Sequence, residues 1–180
     1  MSASPLLTGV ALVITYSASP IILLPLLALF ALLWLRRQPP DWIALAVSLT
    51  GASLANQLGK AFFARDRPTL FTPLMAETGY SFPSGHSQAA LAFYGVLAYL
   101  LARRAPPRWR PAIYAAGGAW VLLVGLSRNY LSVHYPSDVL AAFALTVPWV
   151  LTVIFVHQCY APPVPGEEKV IEPAPDAGGE

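Results

Sequence analysis

Three short segments of this 180-residue chain hold nearly all of its reactive side chains, and their types suit the handling of a phosphate. The first runs from Lys60 to Pro68 and offers Lys60 and Arg67 to an anion. Lysine supplies a mobile point charge and arginine a planar donor fork. The second is Phe82-Pro83-Ser84-Gly85-His86-Ser87, just ahead of a long apolar run. There Ser84 and Gly85 can present backbone donors at a helix N-terminus, where the amide dipoles favour phosphate, and His86 can protonate a leaving oxygen. The third, Ser127 to Asp138, places Arg128 to neutralise phosphate oxygens and His134 to attack phosphorus through a neutral ring nitrogen. Asp138, four residues on, can accept a hydrogen bond from the other nitrogen and set the tautomer. Each segment alone also fits a plainer role: snorkelling cations at a helix end, a turn with a helix cap, or a structural His–Asp bond. Arg65 fits snorkelling better than Lys60 and Arg67 do, with Asp66 as its local partner. Tyr130, Ser132 and Tyr135 read as packing or capping.

The elements that must position these groups are membrane helices. Hydrophobic residues make up 56% of the chain and charged residues 11%, against about 25% charged in soluble domains. Apolar blocks at 20–35, 42–63, 85–102, 111–130 and 136–158 meet or approach the ~20 residues that a span requires. The expected fold is therefore all-α, a polytopic transmembrane bundle of five spans. Residues 2–16 are uncharged and either lie at the interface or extend the first span; without a basic start they do not read as a signal peptide. Arg36 and Arg37 fall in the first connection, and Arg103, Arg104, Arg108 and Arg110 in the third, which orients both toward the cytoplasm. All three reactive segments then face the extracytoplasmic side. Trp42 and Trp109 sit near helix starts, at the level of the membrane interface or in ordinary packing.

Residues 1–160 read as one membrane-embedded domain and 161–180, rich in proline, glycine and acids, as a flexible cytoplasmic tail. No internal repeat stands out. The basic residues are dispersed between apolar blocks, so no nucleic-acid partner is expected. A single cysteine, Cys159, excludes an internal disulfide and a cysteine-based zinc site. The chain lacks the compact carboxylate set of a magnesium site, and no metal, cofactor or obligatory protein partner is expected.

Taken together, the strings resemble the type 2 phosphatidic-acid phosphatase family, whose pattern is Lys-x6-Arg-Pro, Pro-Ser-Gly-His and Ser-Arg-x5-His-x3-Asp. Every defining position is present, as Lys60, Arg67 and Pro68, as Pro83 to His86, and as Ser127, Arg128, His134 and Asp138. The resemblance implies a helical membrane phosphatase with an active site akin to that of vanadium haloperoxidases. It makes His134 the nucleophile of a phosphohistidine intermediate, Asp138 its support, and His86 the acid that later helps activate water. Lys60, Arg67, Ser84, Gly85 and Arg128 would bind the phosphoryl group. Family members commonly have six spans where this sequence offers five, a departure on the N-terminal side.

The expected substrate is a lipid phosphate in a bacterial or archaeal plasma membrane. A glycerophospholipid monophosphate such as phosphatidic acid or phosphatidylglycerol phosphate ranks first, and undecaprenyl diphosphate is the close alternative. An anion transporter lined by Lys60, Arg67 and Arg128, or a noncatalytic lipid-binding protein, are the other classes the same residues allow.

Overall fold

A computed structural model describes residues 4–34, 39–69 and 72–161, and among these every regular element is helical. Arg36, Arg37 and, of the tail expected over 161–180, residues 162–180 lie outside the described residues. Helices α1 (Pro5–Tyr16) and α2 (Pro20–Trp34) meet at a 46° bend. Pro20 opens α2, where its missing N–H costs nothing. Neighbours bond to the break: Tyr94 donates to the Ser17 carbonyl at 2.9 Å and Trp120 to the Ser17 hydroxyl oxygen at 3.1 Å. Such repairs are what permit an interrupted helix in a membrane. Residues 2–16 thus form, over their described part, a helix that leads into α2 at an angle and packs on the helix Arg110–Tyr130.

Helix α3 (Pro39–Phe63) is followed by a long connection and then by α4 (Gly85–Ala90), a π-helical turn (Leu91–Gly95) and α5 (Val96–Arg104), which run on from one another. A 3-10 turn (Pro107–Trp109) leads to α6 (Arg110–Tyr130), and a tight turn leads to α7 (Pro136–Tyr160). In that last turn Ser132 takes a left-handed φ of 58°, which reverses the chain within five residues and sets His134 close behind Arg128.

Two of the five expected spans meet the length and hydropathy of a membrane crossing among the described residues: α7 alone, and α1 with α2 as one bent pair. The others fall short for a physical reason. Helices α3, α4 and α6 carry Ser48, Asn56, Gln88, Ser127 and Arg128, which are buried inside the bundle, and the π turn divides the helix that contains α4 and α5. Outward faces remain apolar: Leu6, Ile21, Phe62, Leu140 and Phe155 are each more than 60% exposed, a surface suited to lipid rather than water.

The core gathers Leu23, Leu45, Phe93, Val96, Leu100, Val150 and Val153 from α2, α3, the π turn, α5 and α7. Lipid gives helices no hydrophobic drive to associate, so close packing has to hold them together. Gly51 is one point of contact: the Trp149 ring lies 2.2 Å from where a Cβ would stand, and its Nε1 donates to the Ser48 carbonyl at 3.0 Å. Gly125 does the same for α6 and α7, with Val139 at 2.8 Å from the missing Cβ. That second contact brings the ends of α6 and α7, and the turn between them, against the start of α4.

Candidate active site

The three reactive segments meet at one end of the bundle. Lys60 lies in the last turn of α3, His86 in the first turn of α4, Arg128 in the last turn of α6, His134 in the turn that follows, and Asp138 in the first turn of α7. Backbone and side-chain bonds lock these ends together. The Ser84 N–H donates to the Asp138 carbonyl at 3.1 Å, and Asn56 Nδ2 donates to the Pro83 carbonyl at 3.1 Å and to Gln88 Oε1 at 2.7 Å. A side chain at position 85 would crowd Asn56, whose Oδ1 is 3.2 Å from the place of a Cβ. Glycine is what lets the helix start approach α3 so closely.

His134 and Asp138 form the arrangement that their spacing suggests. His134 Nδ1 lies 3.3 Å from Asp138 Oδ2, and the same oxygen accepts the Tyr135 N–H at 2.9 Å. The carboxylate is thereby fixed by the backbone, and its bond to Nδ1 leaves Nε2 as the free, basic nitrogen. Nε2 points toward Arg67 Nη1, at 3.5 Å. Burial pushes the His134 pKa below its ordinary value; the Asp138 hydrogen bond opposes this, and the Arg128 and Arg67 charges add to it. These influences favour the neutral imidazole, the form whose lone pair can attack.

Arg67 is held by carbonyls along its whole length: Val133 at 2.9 Å, Gly79 at 3.0 Å and Thr78 at 3.0 Å. Arg128 is fully buried, with Nη1 donating to Thr15 Oγ1 at 2.7 Å, so α1 takes part in positioning it. Lys60 donates to the Tyr80 carbonyl. His86 Nδ1 stands 3.9 Å from Glu77 Oε1, and that carboxylate also binds Arg128 and, at 3.5 Å, Arg67. One carboxylate therefore touches both guanidiniums and faces the second histidine. This is the set of groups that a phosphoryl group would need, with both histidines at its edge.

Comparison with known proteins gives the same reading. The sequence matches the PAP2 superfamily over residues 41–161. The chain belongs to that superfamily. It is 36% identical over 144 residues to phosphatidylglycerophosphatase B of Bacillus subtilis, covering 78% of this chain and 70% of that protein. An undecaprenyl-diphosphatase of Sulfolobus acidocaldarius is 34% identical over 119 residues, 63% of this chain and 54% of the relative. The crystal structure of a transmembrane PAP2 type phosphatidylglycerolphosphate phosphatase from Bacillus subtilis superposes with a TM-score of 0.81 at 33% identity, over 88% of this chain and 80% of that one. This PAP2 protein is accordingly a lipid phosphatase, an all-helical hydrolase of membranes.

Within the PAP2 site, two residues stand where the sequence reading did not put them and a third was overlooked. Ser84 is buried, its N–H on Asp138 and its Oγ 2.9 Å from Ser87 Oγ, so it braces the turn rather than offering an open donor. Arg65 is not paired with Asp66. Its Nη1 donates to Asp138 Oδ1 and to Ser137 Oγ, both at 2.8 Å, and its guanidinium lies 4.0 Å from the centre of the Tyr135 ring. The chain turns at Ala64, with φ of 43°, and that turn directs Arg65 inward. Glu77 is the overlooked group. It lies in a connection with no periodicity to mark it; the only signal was an acid in a segment otherwise poor in charge. Burial pushes its carboxyl up, but the Arg128 charge and hydrogen bond, with His86 and Arg67, outweigh this and hold it below the usual carboxylate range.

Among the described residues no cluster of three or more metal-ligating side chains occurs. The cationic side chains at the site carry the charge that anion binding needs.

Proposed function

We propose that this PAP2 protein removes the terminal phosphate of a glycerophospholipid, with phosphatidylglycerol phosphate as the preferred substrate, through a phosphohistidine. His134 Nε2 attacks phosphorus, the P–O bond to the lipid breaks in line, and His86 passes a proton to the departing lipid oxygen. Water, relieved of a proton by His86, then cleaves the N–P bond and frees inorganic phosphate. Asp138 holds the imidazole and stabilises its positive charge during attack. Lys60, Arg67, Arg128 and the Gly85 backbone bind the equatorial oxygens, and Ser84 keeps the turn in place. The observation that carries this reading is the His134–Asp138 pair at 3.3 Å with Nε2 directed to the Arg67 guanidinium.

A lipid leaving group is supported by a cavity of about 410 Å³ that runs from His86 between α2 and α3, with Leu23, Leu24 and Leu27 on one wall. The bent α1–α2 pair, α3, the helix through α4 and α5, α6 and α7 are read as five passes, with the reactive end extracytoplasmic as the arginines of the connections imply. Undecaprenyl diphosphate is kept as a second reading because the 34% identical relative is an undecaprenyl-diphosphatase.

Phosphate release in mixed micelles tests the mechanism. The His134→Ala protein, matched to wild type in its detergent elution profile, should release no phosphate from phosphatidic acid, phosphatidylglycerol phosphate or undecaprenyl diphosphate. Turnover at the wild-type rate would remove His134 from the nucleophile's role. Presented at matched surface fractions, phosphatidylglycerol phosphate should turn over faster than the prenyl diphosphate, and the reverse order would exchange the two readings.

A further inference from the structure

Three polar side chains on α3 have no place in the chemistry above. Thr50, Ser53 and Gln57 are spaced three and four apart, so they fall on one face of the helix. All three are exposed, and all three line the cavity that contains Gly85 and His86. Among the described residues none of these side chains makes a hydrogen bond. Other helical hydroxyls of this protein are satisfied by their own helix: Thr152 donates to the Pro148 carbonyl at 2.9 Å and Ser127 to the Val124 carbonyl at 2.7 Å. Unsatisfied polar groups are costly at membrane depth and mark function by default.

The cavity has two unlike walls. Across from the polar stripe stand Leu23, Leu24 and Leu27 of α2. Its upper end is the proposed proton donor, so what fills it is the part of the substrate attached to the departing oxygen. From Gln57 to Thr50 the stripe descends about 10 Å along the helix axis. The leaving group of phosphatidylglycerol phosphate carries a hydroxyl, a phosphodiester and ester oxygens in succession, and these match a row of donors. After the transferred phosphoryl group a prenyl diphosphate offers one further phosphate, at the level of Gln57, and below it only hydrocarbon, which would leave Thr50 and Ser53 unpaired.

We infer that Thr50, Ser53 and Gln57 form a recognition stripe for the glycerol and phosphodiester portion of the lipid leaving group, and that this stripe sets the preference for glycerophospholipids over prenyl diphosphates. The inference rests on the proposed reaction, since it takes His86 as the end of the cavity where the bond breaks. Its acyl chains run along the leucine wall. Removing Thr50 and Ser53 as hydrogen-bond partners weakens recognition of the glycerophospholipid, whereas a prenyl chain makes no hydrogen bond at their level and loses nothing.

The experiment compares wild type with the Thr50→Val, Ser53→Ala double variant, and with Ser53→Ala alone in case the double variant folds poorly. Each is assayed in mixed micelles on phosphatidylglycerol phosphate and on undecaprenyl diphosphate, with inhibition by inorganic phosphate as a measure of the anion pocket. For the double variant kcat/KM on the glycerophospholipid should fall on the order of 10-fold, and for the single variant a few-fold. Prenyl-diphosphate turnover and phosphate inhibition should stay near wild type. A parallel loss on both substrates, or no loss on either, overturns the stripe. Loss of the catalytic reading is a separate result, because it appears as retained turnover in His134→Ala rather than as a change in substrate ratio.

Discussion

Each end of the bundle contains a buried histidine bonded to a buried aspartate. At the reactive end His134 Nδ1 meets Asp138 Oδ2 at 3.3 Å; at the other, His157 Nε2 meets Asp41 Oδ1 at 3.0 Å. Nineteen residues of α7 separate Asp138 from His157, roughly 28 Å of helix. The second pair is closed on all sides. Tyr99 Oη occupies His157 Nδ1 at 3.0 Å, and Arg104 pairs with the other Asp41 oxygen. Both ring nitrogens of His157 are used, and three helices, α3, α5 and α7, are tied together by them. His134 keeps one nitrogen turned to a guanidinium that an anion can share. A His–Asp pair is therefore not a site by itself. What distinguishes the two ends is a ring nitrogen left over and positive charge gathered in front of it.

The largest expected effects break this comparison directly. His134→Ala should lower kcat on the order of 10⁴-fold or more, as loss of a covalent nucleophile does, while leaving the midpoint of thermal unfolding in detergent nearly unchanged. His157→Ala should do the opposite. It leaves Asp41 buried beside Arg104 with one partner gone, which costs about 3 kcal/mol, and its specific activity at a temperature well below the unfolding midpoint should stay within about threefold of wild type. Equal losses of activity from the two substitutions would remove the distinction between a chemical and a structural pair.

The sequence made the reactive end legible because its groups occur as short strings at helix ends. A lysine, two arginines and two histidines are conspicuous against an apolar background, and the i, i+4 spacing of His134 and Asp138 survives folding. The inner pair was not visible, since Asp41 and His157 are 116 residues apart and each reads as an ordinary charge near a helix end. Glu77 and Arg65 were hidden differently. Both belong to the connection between α3 and α4, where the direction of a side chain depends on the turn at Ala64 and on bonds such as Ser81 N–H to the Arg65 carbonyl at 2.8 Å. No periodicity records such directions. The helical segments themselves followed from hydropathy, apart from the bend at residues 17–19 and the π turn, which depend on packing by Tyr94 and Trp120.

A smaller effect concerns the carboxylate that sits among the arginines. Glu77 binds Arg128 and Arg67 through the groups proposed to hold phosphate, so substrate and carboxylate compete for the same charge. Glu77→Gln keeps the shape and removes the anion. Inhibition by inorganic phosphate should tighten about threefold to tenfold, because charge-assisted bonds to the arginines are released for the ligand. An unchanged inhibition constant would place the phosphate elsewhere. The arginines also bear on metal dependence: with Lys60, Arg67 and Arg128 supplying the positive charge, turnover should persist in excess EDTA. Loss of turnover that magnesium restores would require a different account of the anion pocket.

The finest test is the pH dependence of kcat/KM, which reports the ionisation of groups in the free enzyme. As the proposed nucleophile, His134 must be neutral to attack. Burial, with Arg128 and Arg67 nearby, holds its pKa below the ordinary 6.5, and the Asp138 hydrogen bond pulls the other way. Protonation of His134 should thus lower the rate only below 6.5, as the imidazole takes up a proton and its lone pair is lost, while the alkaline side follows loss of the proton that His86 must donate. Asp138→Asn removes the one contact that favours the imidazolium through a hydrogen bond. The acid limb should then move to lower pH even as the plateau drops, since the ring is both harder to protonate and less well supported during attack. At the inner end Asp41→Asn should leave the limb where it is, because His157 takes no part in the reaction. A limb that moves upward in Asp138→Asn would mean that the group titrating is not His134, and the pairing that sets the two ends apart would have to be assigned anew.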